Sequence, residues 1–135
     1  MVAGVLKRQT DGARTVGAGQ VVATDDEVAI ASLPLLDAVA DTVGRSTAEK
    51  LMGKIRPGGV FASVIGAPQN AANYPSVKVV FVFSKFDRET LEFMAEAVRG
   101  GKLVIPISEK LPLSEAAEAQ AAAEKGATGK ILLVA

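Results

Sequence analysis

The pattern of apolar positions between residues 36 and 67 predicts two buried strands joined by a helix. Leu36, Ala38, Val39 and Ala40 form one apolar run, and residues 60–65 form another. Runs that are apolar on both faces are typical of parallel strands covered by helices. Between them, Ala48, Leu51, Met52 and Ile55 recur at helical spacing and predict one apolar helix face. This order predicts a right-handed crossover between two parallel strands.

The polar and glycine residues around this unit indicate where its elements begin and end. Ser46 or Thr47 is expected to cap the helix, and Pro57-Gly58 to stop it. The two strands are followed by residues 41–44 (DTVG) and 65–68 (IGAP), and ligands of open parallel sheets bind beyond such carboxyl ends. Glycine there allows a ligand to approach the backbone. The alternative is that these are ordinary turn glycines, and the unit taken alone favours that alternative.

The same alternation of strands and helices continues over the whole chain. Strands are expected at residues 2–6, 20–24, 77–83, 103–105 and 130–134, with helices between them. Asp87 is expected to cap a helix whose apolar face holds Leu91, Met94, Ala95 and Val98, and Ser114 to cap the last helix. The predicted fold class is α/β, a mostly parallel sheet flanked by helices, and the length suits one domain.

Composition removes several classes of function. Fifteen basic and fifteen acidic residues cancel, so no nucleic-acid or membrane-surface partner is predicted. The absence of cysteine and histidine removes disulfides, thiolate zinc sites and the usual nucleophiles and general base. No apolar stretch is long enough to span a bilayer, and no signal peptide is evident, so the cytoplasm is the expected location.

Two short motifs bear on a dinucleotide. Gly17-Ala18-Gly19 precedes a strand instead of following one, and Val22 occupies the position of the third glycine, so it is not a dinucleotide fingerprint. Lys7-Arg8 follows the first strand, where basic residues accommodate a 2′-phosphate and an acid would hold a 2′-hydroxyl. This favours NADP over NAD if a dinucleotide binds. A solvated helix start is the equally weighted alternative.

Isolated polar residues give no catalytic or metal site. Asp41 ends a buried strand without a second carboxylate nearby in sequence, so a structural role is predicted. Tyr74 is expected to pack or lie on the surface, and Ser63 and Ser84 lack the partners of a nucleophile. Residues 25–27 (DDE) are interpreted as a solvated turn. We therefore predict no catalytic residue and no metal ligand.

Five short motifs in order resemble the C-terminal half of the medium-chain dehydrogenase/reductase superfamily, and most of all its zinc-independent quinone-oxidoreductase branch. They cover nearly the whole chain: Gly17-Ala18 before the family's third strand, Asp41 and Gly44 after the fourth, Pro57-Gly58-Gly59 before the fifth, Pro112-Leu113 at the penultimate helix, and Gly129-Lys130 at the last strand.

The resemblance also implies that parts of the family's fold lie outside this sequence. The catalytic domain, the first Rossmann strand and its glycine-rich phosphate turn have no counterpart, so residues 1–135 are interpreted as one truncated NAD(P)-binding Rossmann-like domain. The catalytic domain is expected in the parent protein. Loss of a central strand leaves open edges, so we expect either that the first strand pairs directly with the Leu36 strand or that another copy completes the sheet, giving a homo-oligomer.

The resemblance assigns cofactor-binding roles to residues at the predicted strand ends. Lys7 and Arg8 would face the adenosine 2′-phosphate, and Thr42, Val43 and Gly44 would line the ribose and pyrophosphate. Ile65, Gly66 and Ala67 would approach the nicotinamide ribose. Phe81, Val82 and Phe83 would lie near the nicotinamide and on the family's dimer-forming edge.

Two hypotheses about function follow. The first is a C-terminal, NADP-binding part of an oxidoreductase that transfers hydride to or from a quinone, enone or alcohol, inactive by itself. The alternative is a degenerate, non-catalytic Rossmann-like module that acts in protein association. Whether the isolated chain is an enzyme stays open at this stage.

Overall fold

The computed structural model describes residues 1–85, 87–126 and 129–135. The chain divides into two compact units, Met1–Lys85 and Phe86–Ala135. None of the described helices has the length and hydropathy of a membrane-spanning segment.

The first unit alternates strands and helices, as the hydrophobic pattern predicts. Short 3₁₀ turns lie at Lys7–Gln9 and Ala71–Asn73. In chain order the elements are β1 (Val2–Val5), α1 (Thr10–Thr15), β2 (Gln20–Ala23), α2 (Glu27–Ala31), β3 (Leu36–Asp41), α3 (Arg45–Met52), β4 (Ile55–Ser63) and β5 (Lys78–Phe81).

The described residues of the second unit form two helices and two strands. They are α4 (Arg88–Arg99), β6 (Ile107–Pro112), α5 (Ala116–Glu124) and β7 (Lys130–Val134), with a 3₁₀ turn at Leu113–Glu115 before α5. Strands β6 and β7 pair in parallel.

Every strand pairing among the described residues is parallel, which confirms the α/β class. The strands form three sheets: β1 with β2, β3 with β4 and β5, and β6 with β7. The expectation that β1 pairs directly with the Leu36 strand is therefore wrong, because β1 and β3 lie in different sheets. Each bonds to a neighbour on one side only, and both line a cleft between them.

The core of the first unit lies where α3 covers β3 and β4. Phe61 of β4 and Met52 of α3 are completely buried, and Val39, Ala48 and Ile55 pack with them. The cluster includes Ala48 and Met52 of the predicted apolar helix face, and Leu51 packs against it partly buried. It fixes the crossover between β3 and β4, and therefore the positions of both strand ends.

Helix α3 differs from its predicted limits at both ends. Gly44 occupies the N-cap position, and neither Ser46 nor Thr47 caps the helix. The helix ends at Met52, and Ile55 is the first residue of β4, so its place on the helical stripe was wrong. Pairing with β3 ends the helix early: the Leu36 amide donates to the Lys54 carbonyl at 2.7 Å, and the chain continues from there as strand β4.

That pairing also changes the role of the Pro57-Gly58 pair. Both residues lie inside β4 and do not stop a helix. The register between β3 and β4 shifts between Leu36 and Ala38, and this irregularity accommodates the additional residues of β4.

Two predictions for the second unit were also wrong. Residues 103–105 are not a strand, because the amides of Lys102 and Leu103 bond to the Ala97 carbonyl at the end of α4. The strand begins after Pro106, whose carbonyl accepts from the Lys130 amide at 2.7 Å. Ser114 lies in the 3₁₀ turn and does not cap α5.

Helix α4 is capped as predicted. The Asp87 carboxylate accepts from the amides of Glu89 and Thr90, at 3.3 and 3.2 Å. A hydrogen bond from the Thr90 hydroxyl, together with these amides, lowers the pKa of Asp87. The predicted apolar face is exposed, since no residue of α4 is buried.

We predict that Met52→Ala destabilises the chain, because the side chain is fully buried against Phe61 and Val39. The free energy of unfolding, measured by urea denaturation, is expected to fall by about 2–5 kcal/mol. Met94→Ala is the control, since Met94 lies on an exposed helix face, and it should change stability by less than about 0.5 kcal/mol. Equal effects of the two substitutions would contradict this core.

Candidate functional site

The carboxyl ends of three strands lie at one edge of the sheet. Asp41 of β3 is in register with Ser63 of β4, and Ser63 is in register with Phe81 of β5. The prediction that the Asp41 and Gly66 turns share one rim is therefore confirmed. We call the strand-end residues and the turns that follow them (residues 41–44, 63–67 and 81–83) the rim.

Asp41 organises the turn after β3. Its side chain is buried, and Oδ1 accepts from the amides of Val43 at 3.1 Å and Gly44 at 2.9 Å. An aspartate that bonds to backbone amides two and three residues ahead closes a tight turn without help from a neighbouring strand. The predicted structural role of Asp41 is confirmed.

Ser63 does the same for the turn after β4 and joins it to the first. Its hydroxyl donates to Asp41 Oδ2 at 2.7 Å and accepts from the amides of Ile65 and Gly66, at 3.0 and 3.1 Å. One hydroxyl has one donor and two acceptor sites, so this side chain is fully used. The two turns are thereby locked to each other through buried groups.

Sequence reasoning missed this role of Ser63. A signal for it is present, because both strands end in a short polar residue that precedes a glycine by three positions: Asp41 before Gly44, and Ser63 before Gly66. The repeated spacing predicts two side-chain-closed turns. The bond between them depends on the strand register, which the sequence alone does not supply.

Gly44 permits the two turns to touch. Its backbone has φ 71° and ψ −158°, a region that is essentially confined to glycine. A Cβ atom added there would lie 2.8 Å from Ile65 Cγ2, well inside van der Waals contact. Gly66 also has a positive φ, of 139°, but faces open space. Glycine is thus required at position 44, because the turn after β4 lies too close for a side chain there. Gly66 has open space beside its backbone.

The segment after β5 closes the rim on its third side. The Val82 amide donates to the Ser63 carbonyl at 2.8 Å, so the chain stays beside β4 beyond the end of β5. Phe81 and Phe83 meet edge to face, with ring centroids 5.4 Å apart. Both rings are exposed, and Phe83 retains 80% of its accessible surface.

Lys7 and Arg8 lie elsewhere, in the exposed 3₁₀ turn after β1. Asp25 Oδ1 accepts from the Lys7 amide at 2.8 Å, which ties this turn to the end of β2. Asp25 was predicted to be a solvated turn residue, and its bond to Lys7 was missed. The structure therefore places nine of the eleven predicted residues on one rim and these two at the end of another sheet.

The chemistry of the rim is that of an apolar contact surface. Val43, Ile65, Phe81 and Phe83 are exposed along it. Four of its backbone amides, those of residues 43, 44, 65 and 66, already donate to Asp41 or Ser63. These amides are not available to cradle a phosphate group, so the rim suits a flat, weakly charged part of a ligand.

Comparison with known sequences matches residues 16–133 to the family described as zinc-binding dehydrogenase. This match spans most of the sequence. The chain belongs to the zinc-binding dehydrogenase family. The match corresponds to the cofactor-binding, Rossmann part of the medium-chain dehydrogenase/reductase superfamily, as the sequence motifs indicate. No curated protein sequence matches the chain.

Solved structures share the fold. A quinone oxidoreductase from Coxiella burnetii has a TM-score of 0.81 and 23% identity, over 98% of this chain and 44% of its own. An NAD-dependent alcohol dehydrogenase has a TM-score of 0.78 and 21% identity, over 99% and 43%. A thermostable alcohol dehydrogenase from Pyrobaculum aerophilum has a TM-score of 0.73 and 17% identity, over 98% and 42%. This member of the zinc-binding dehydrogenase family thus spans less than half the length of these structures.

The zinc in the family's name does not fit this chain. Zinc sites are built mainly from cysteine and histidine, and the sequence contains neither. Within residues 1–85, 87–126 and 129–135, no three acidic side chains come together in a way that could hold a metal ion.

We predict that Ser63→Ala loosens the rim, because it leaves one buried carboxylate oxygen and two amides without their partner. The expected loss of unfolding free energy is about 1–3 kcal/mol, since unsatisfied buried groups cost that much. Hydrogen exchange at the Ile65 and Gly66 amides should accelerate. Ser76→Ala, at an exposed serine of the same unit, is the control and should change neither measurement.

We predict that Gly44→Ala destabilises more than Gly66→Ala. Both force alanine to a positive φ, which costs on the order of 1–3 kcal/mol, but only the first adds a clash with Ile65. Combining Gly44→Ala with Ile65→Ala should restore part of the loss, because Ile65 Cγ2 is removed. Denaturation of the single and double variants gives the coupling. Strict additivity would contradict the contact between the two turns.

Proposed function

We propose that this chain is the C-terminal, NADP-binding part of an oxidoreductase that transfers hydride to or from a quinone, enone or alcohol. The observation that carries the proposal is the rim, where three parallel strand ends meet and two glycine turns are locked by Asp41 and Ser63. Ligands of open parallel sheets bind at such an edge. The chain is proposed to be cytoplasmic.

The surface of the rim supports contact with the nicotinamide half of the cofactor. Ile65, Phe81 and Phe83 present exposed apolar groups, and the open space beside Gly66 allows a ribose to approach the backbone. When bound, the cofactor supplies the hydride. The residues of the rim would position the ring and exclude water from one of its faces.

The occupied amides of the rim support weak binding by the chain alone. Pyrophosphate is usually held by backbone amides at a helix N-terminus, and here the amides of Val43 and Gly44 donate to Asp41. Thr42 remains as a ribose contact in this turn. We propose that the pyrophosphate donors belong to another part of the parent protein, and that this chain has no activity by itself.

The choice of NADP is supported by Lys7 and Arg8. Both follow β1 on an exposed turn, where cations would face a 2′-phosphate. The nearby carboxylate of Asp25 is turned to the Lys7 amide. Quinone and alcohol are the substrate classes in the names of the matched structures, one a quinone oxidoreductase and two alcohol dehydrogenases, and the enone is implied by the family resemblance.

A second candidate function is protein association without catalysis. One observation favours it: helix α4 buries no residue, although Leu91, Met94 and Val98 give it an apolar face. Phe93, on another side of the helix, is exposed as well. Exposed apolar patches commonly mark interaction sites. We propose that a homo-oligomer, or the parent's catalytic domain, uses such a surface whether or not the cofactor binds.

We predict that the purified chain binds NADPH weakly, more tightly than NADH, and turns over neither. Quenching or enhancement of NADPH fluorescence measures binding. Combining Lys7→Ala with Arg8→Ala should weaken NADPH binding on the order of tenfold, because charge-assisted bonds to the phosphate are lost, and leave NADH binding unchanged. Lys78→Ala, at an exposed lysine of β5, is the control.

Different results contradict different parts of the proposal. No change in fluorescence at millimolar protein contradicts cofactor binding and leaves the association function. Equal affinity for NADPH and NADH contradicts only the choice of NADP. Hydride transfer by the isolated chain contradicts its proposed inactivity.

A further inference from the structure

The turn that carries Lys7 and Arg8 is held in place by residues at the end of β2. The Thr24 amide donates to the Val5 carbonyl at 2.8 Å, and the Lys7 amide donates to Asp25 Oδ1 at 2.8 Å. Thr24 is buried, whereas Asp25 is exposed. The end of β2 thus fixes both the point where β1 stops and the backbone of the first cation after it.

Backbone amides of this turn already have acceptors within the chain. The Leu6 amide donates to Gln9 Oε1 at 3.2 Å, and the Gln9 amide donates to the Leu6 carbonyl at 2.8 Å. With the Lys7 amide bonded to Asp25, three amides at or before the turn are occupied. A phosphate that binds here would therefore be recognised by the side chains of Lys7 and Arg8, and the direction of the Lys7 backbone determines where those charges lie.

Asp25 has two opposite effects on such a phosphate. Its negative charge repels the anion, and an acid near this turn could instead hold a ribose 2′-hydroxyl and favour NAD. Its hydrogen bond, however, goes to the backbone of the residue that carries the first cation. Because Asp25 is exposed, solvent and salt screen its charge, whereas the direct bond to the Lys7 amide keeps its geometry.

We propose that Asp25 is a positioning residue for an adenosine 2′-phosphate: its bond to the Lys7 amide orients Lys7 and Arg8 toward that phosphate, and an acidic residue thereby favours NADP over NAD. The inference rests on the proposed function, in which these two cations face the 2′-phosphate. The ligand class is an adenosine nucleotide that carries a 2′-phosphate. Asp25 itself does not touch the ligand and acts only through the turn.

The test uses the purified full chain and two probes that differ only in the 2′-phosphate, adenosine 2′,5′-bisphosphate and adenosine 5′-monophosphate. Shifts of the backbone amide signals in an NMR titration measure both affinities, even where binding is weak. The original chain is expected to bind the bisphosphate on the order of tenfold more tightly, because charge-assisted bonds to the 2′-phosphate are gained. Neither probe contains nicotinamide, so the result does not depend on the rim.

Three substitutions separate the hydrogen bond of Asp25 from its charge. Asp25→Asn removes the charge and keeps an oxygen that accepts from the Lys7 amide, whereas Asp25→Ala removes both. Asp25→Ala should weaken the bisphosphate about threefold to fivefold, and Asp25→Asn should bind it at least as tightly as the original chain. Asp25→Glu keeps the charge, displaces the acceptor and should also weaken the bisphosphate. Affinity for the monophosphate should stay the same in all three.

A double-variant comparison tests whether Asp25 acts through the cations. In a chain that already carries Lys7→Ala and Arg8→Ala, Asp25→Ala should cause no further loss of bisphosphate affinity, because there is no cation left to orient. A further loss equal to that in the original chain would overturn the positioning role.

Asp11 provides the matched control. It is an exposed aspartate of the same unit, and its carboxylate bonds to the Arg14 side chain at 3.0 Å. Asp11→Ala and Asp11→Asn should have equal effects on the bisphosphate, since both remove a charge and neither removes an acceptor of the Lys7 amide. The Asp25 variants should fold, because the bond they alter is exposed. Asp25→Glu and Asp25→Asn still separate bond from charge if Asp25→Ala does not fold.

The outcomes distinguish this inference from the proposed function. Tighter bisphosphate binding after both Asp25→Ala and Asp25→Asn would mean that Asp25 acts by charge alone, and weaker monophosphate binding would assign it to the ribose hydroxyl; either result overturns the inference. Equal binding of the two probes by the original chain overturns the inference and the choice of NADP, but leaves binding at the rim. A chain that selects the bisphosphate through Asp25 and binds no NADPH supports the inference and contradicts the proposed function.

Discussion

The hydrogen bond between Ser63 Oγ and Asp41 Oδ2 is the interaction on which the rim depends. It joins the last residues of two neighbouring strands, and each of its partners also closes the turn that follows it. Because both side chains are buried, neither partner can be removed without leaving polar groups unsatisfied in the interior. The positions of Val43, Gly44, Ile65 and Gly66 follow from this single contact.

In the first unit the buried polar groups of the rim have hydrogen-bond partners, whereas the facing edges of β1 and β3 have no strand paired to them. Its core lies around α3, β3 and β4, where Met52 and Phe61 are fully buried. On the other side of β3 the sheet stops, and Ala38 and Ala40 are exposed although they belong to a run typical of a central strand. Apolar sequence on a strand with an open edge indicates burial that this chain does not provide for itself.

Much of the fold was predictable, because periodicity and turn residues determine it locally. The strand–helix–strand unit, the Asp87 cap and the shared rim of the Asp41 and Gly66 turns all follow from spacing. The errors arise where a distant backbone group competes with a local signal. Ile55 fits the helical stripe, but pairing of Leu36 with Lys54 starts the strand before it, and the end of α4 holds Lys102 and Leu103 out of a sheet.

The site was predictable to a smaller extent, for a related reason. Glycines and a strand-end aspartate mark the rim in sequence, whereas Ser63 looks like any small polar residue until β3 and β4 are placed in register. The separation of Lys7 and Arg8 from the other predicted residues has the same origin. They follow β1, which lies in a different sheet from β3, and among the described residues no backbone hydrogen bond joins these two strands.

These features imply an order of assembly. The turns of the rim form their hydrogen bonds internally, so the rim needs no ligand and no partner to hold its shape. The cleft between β1 and β3 is the opposite case, because both of its edges lack hydrogen-bond partners in the described chain. The rim can therefore form first, and any partner of the open edges of β1 and β3 joins a unit whose rim is already in place.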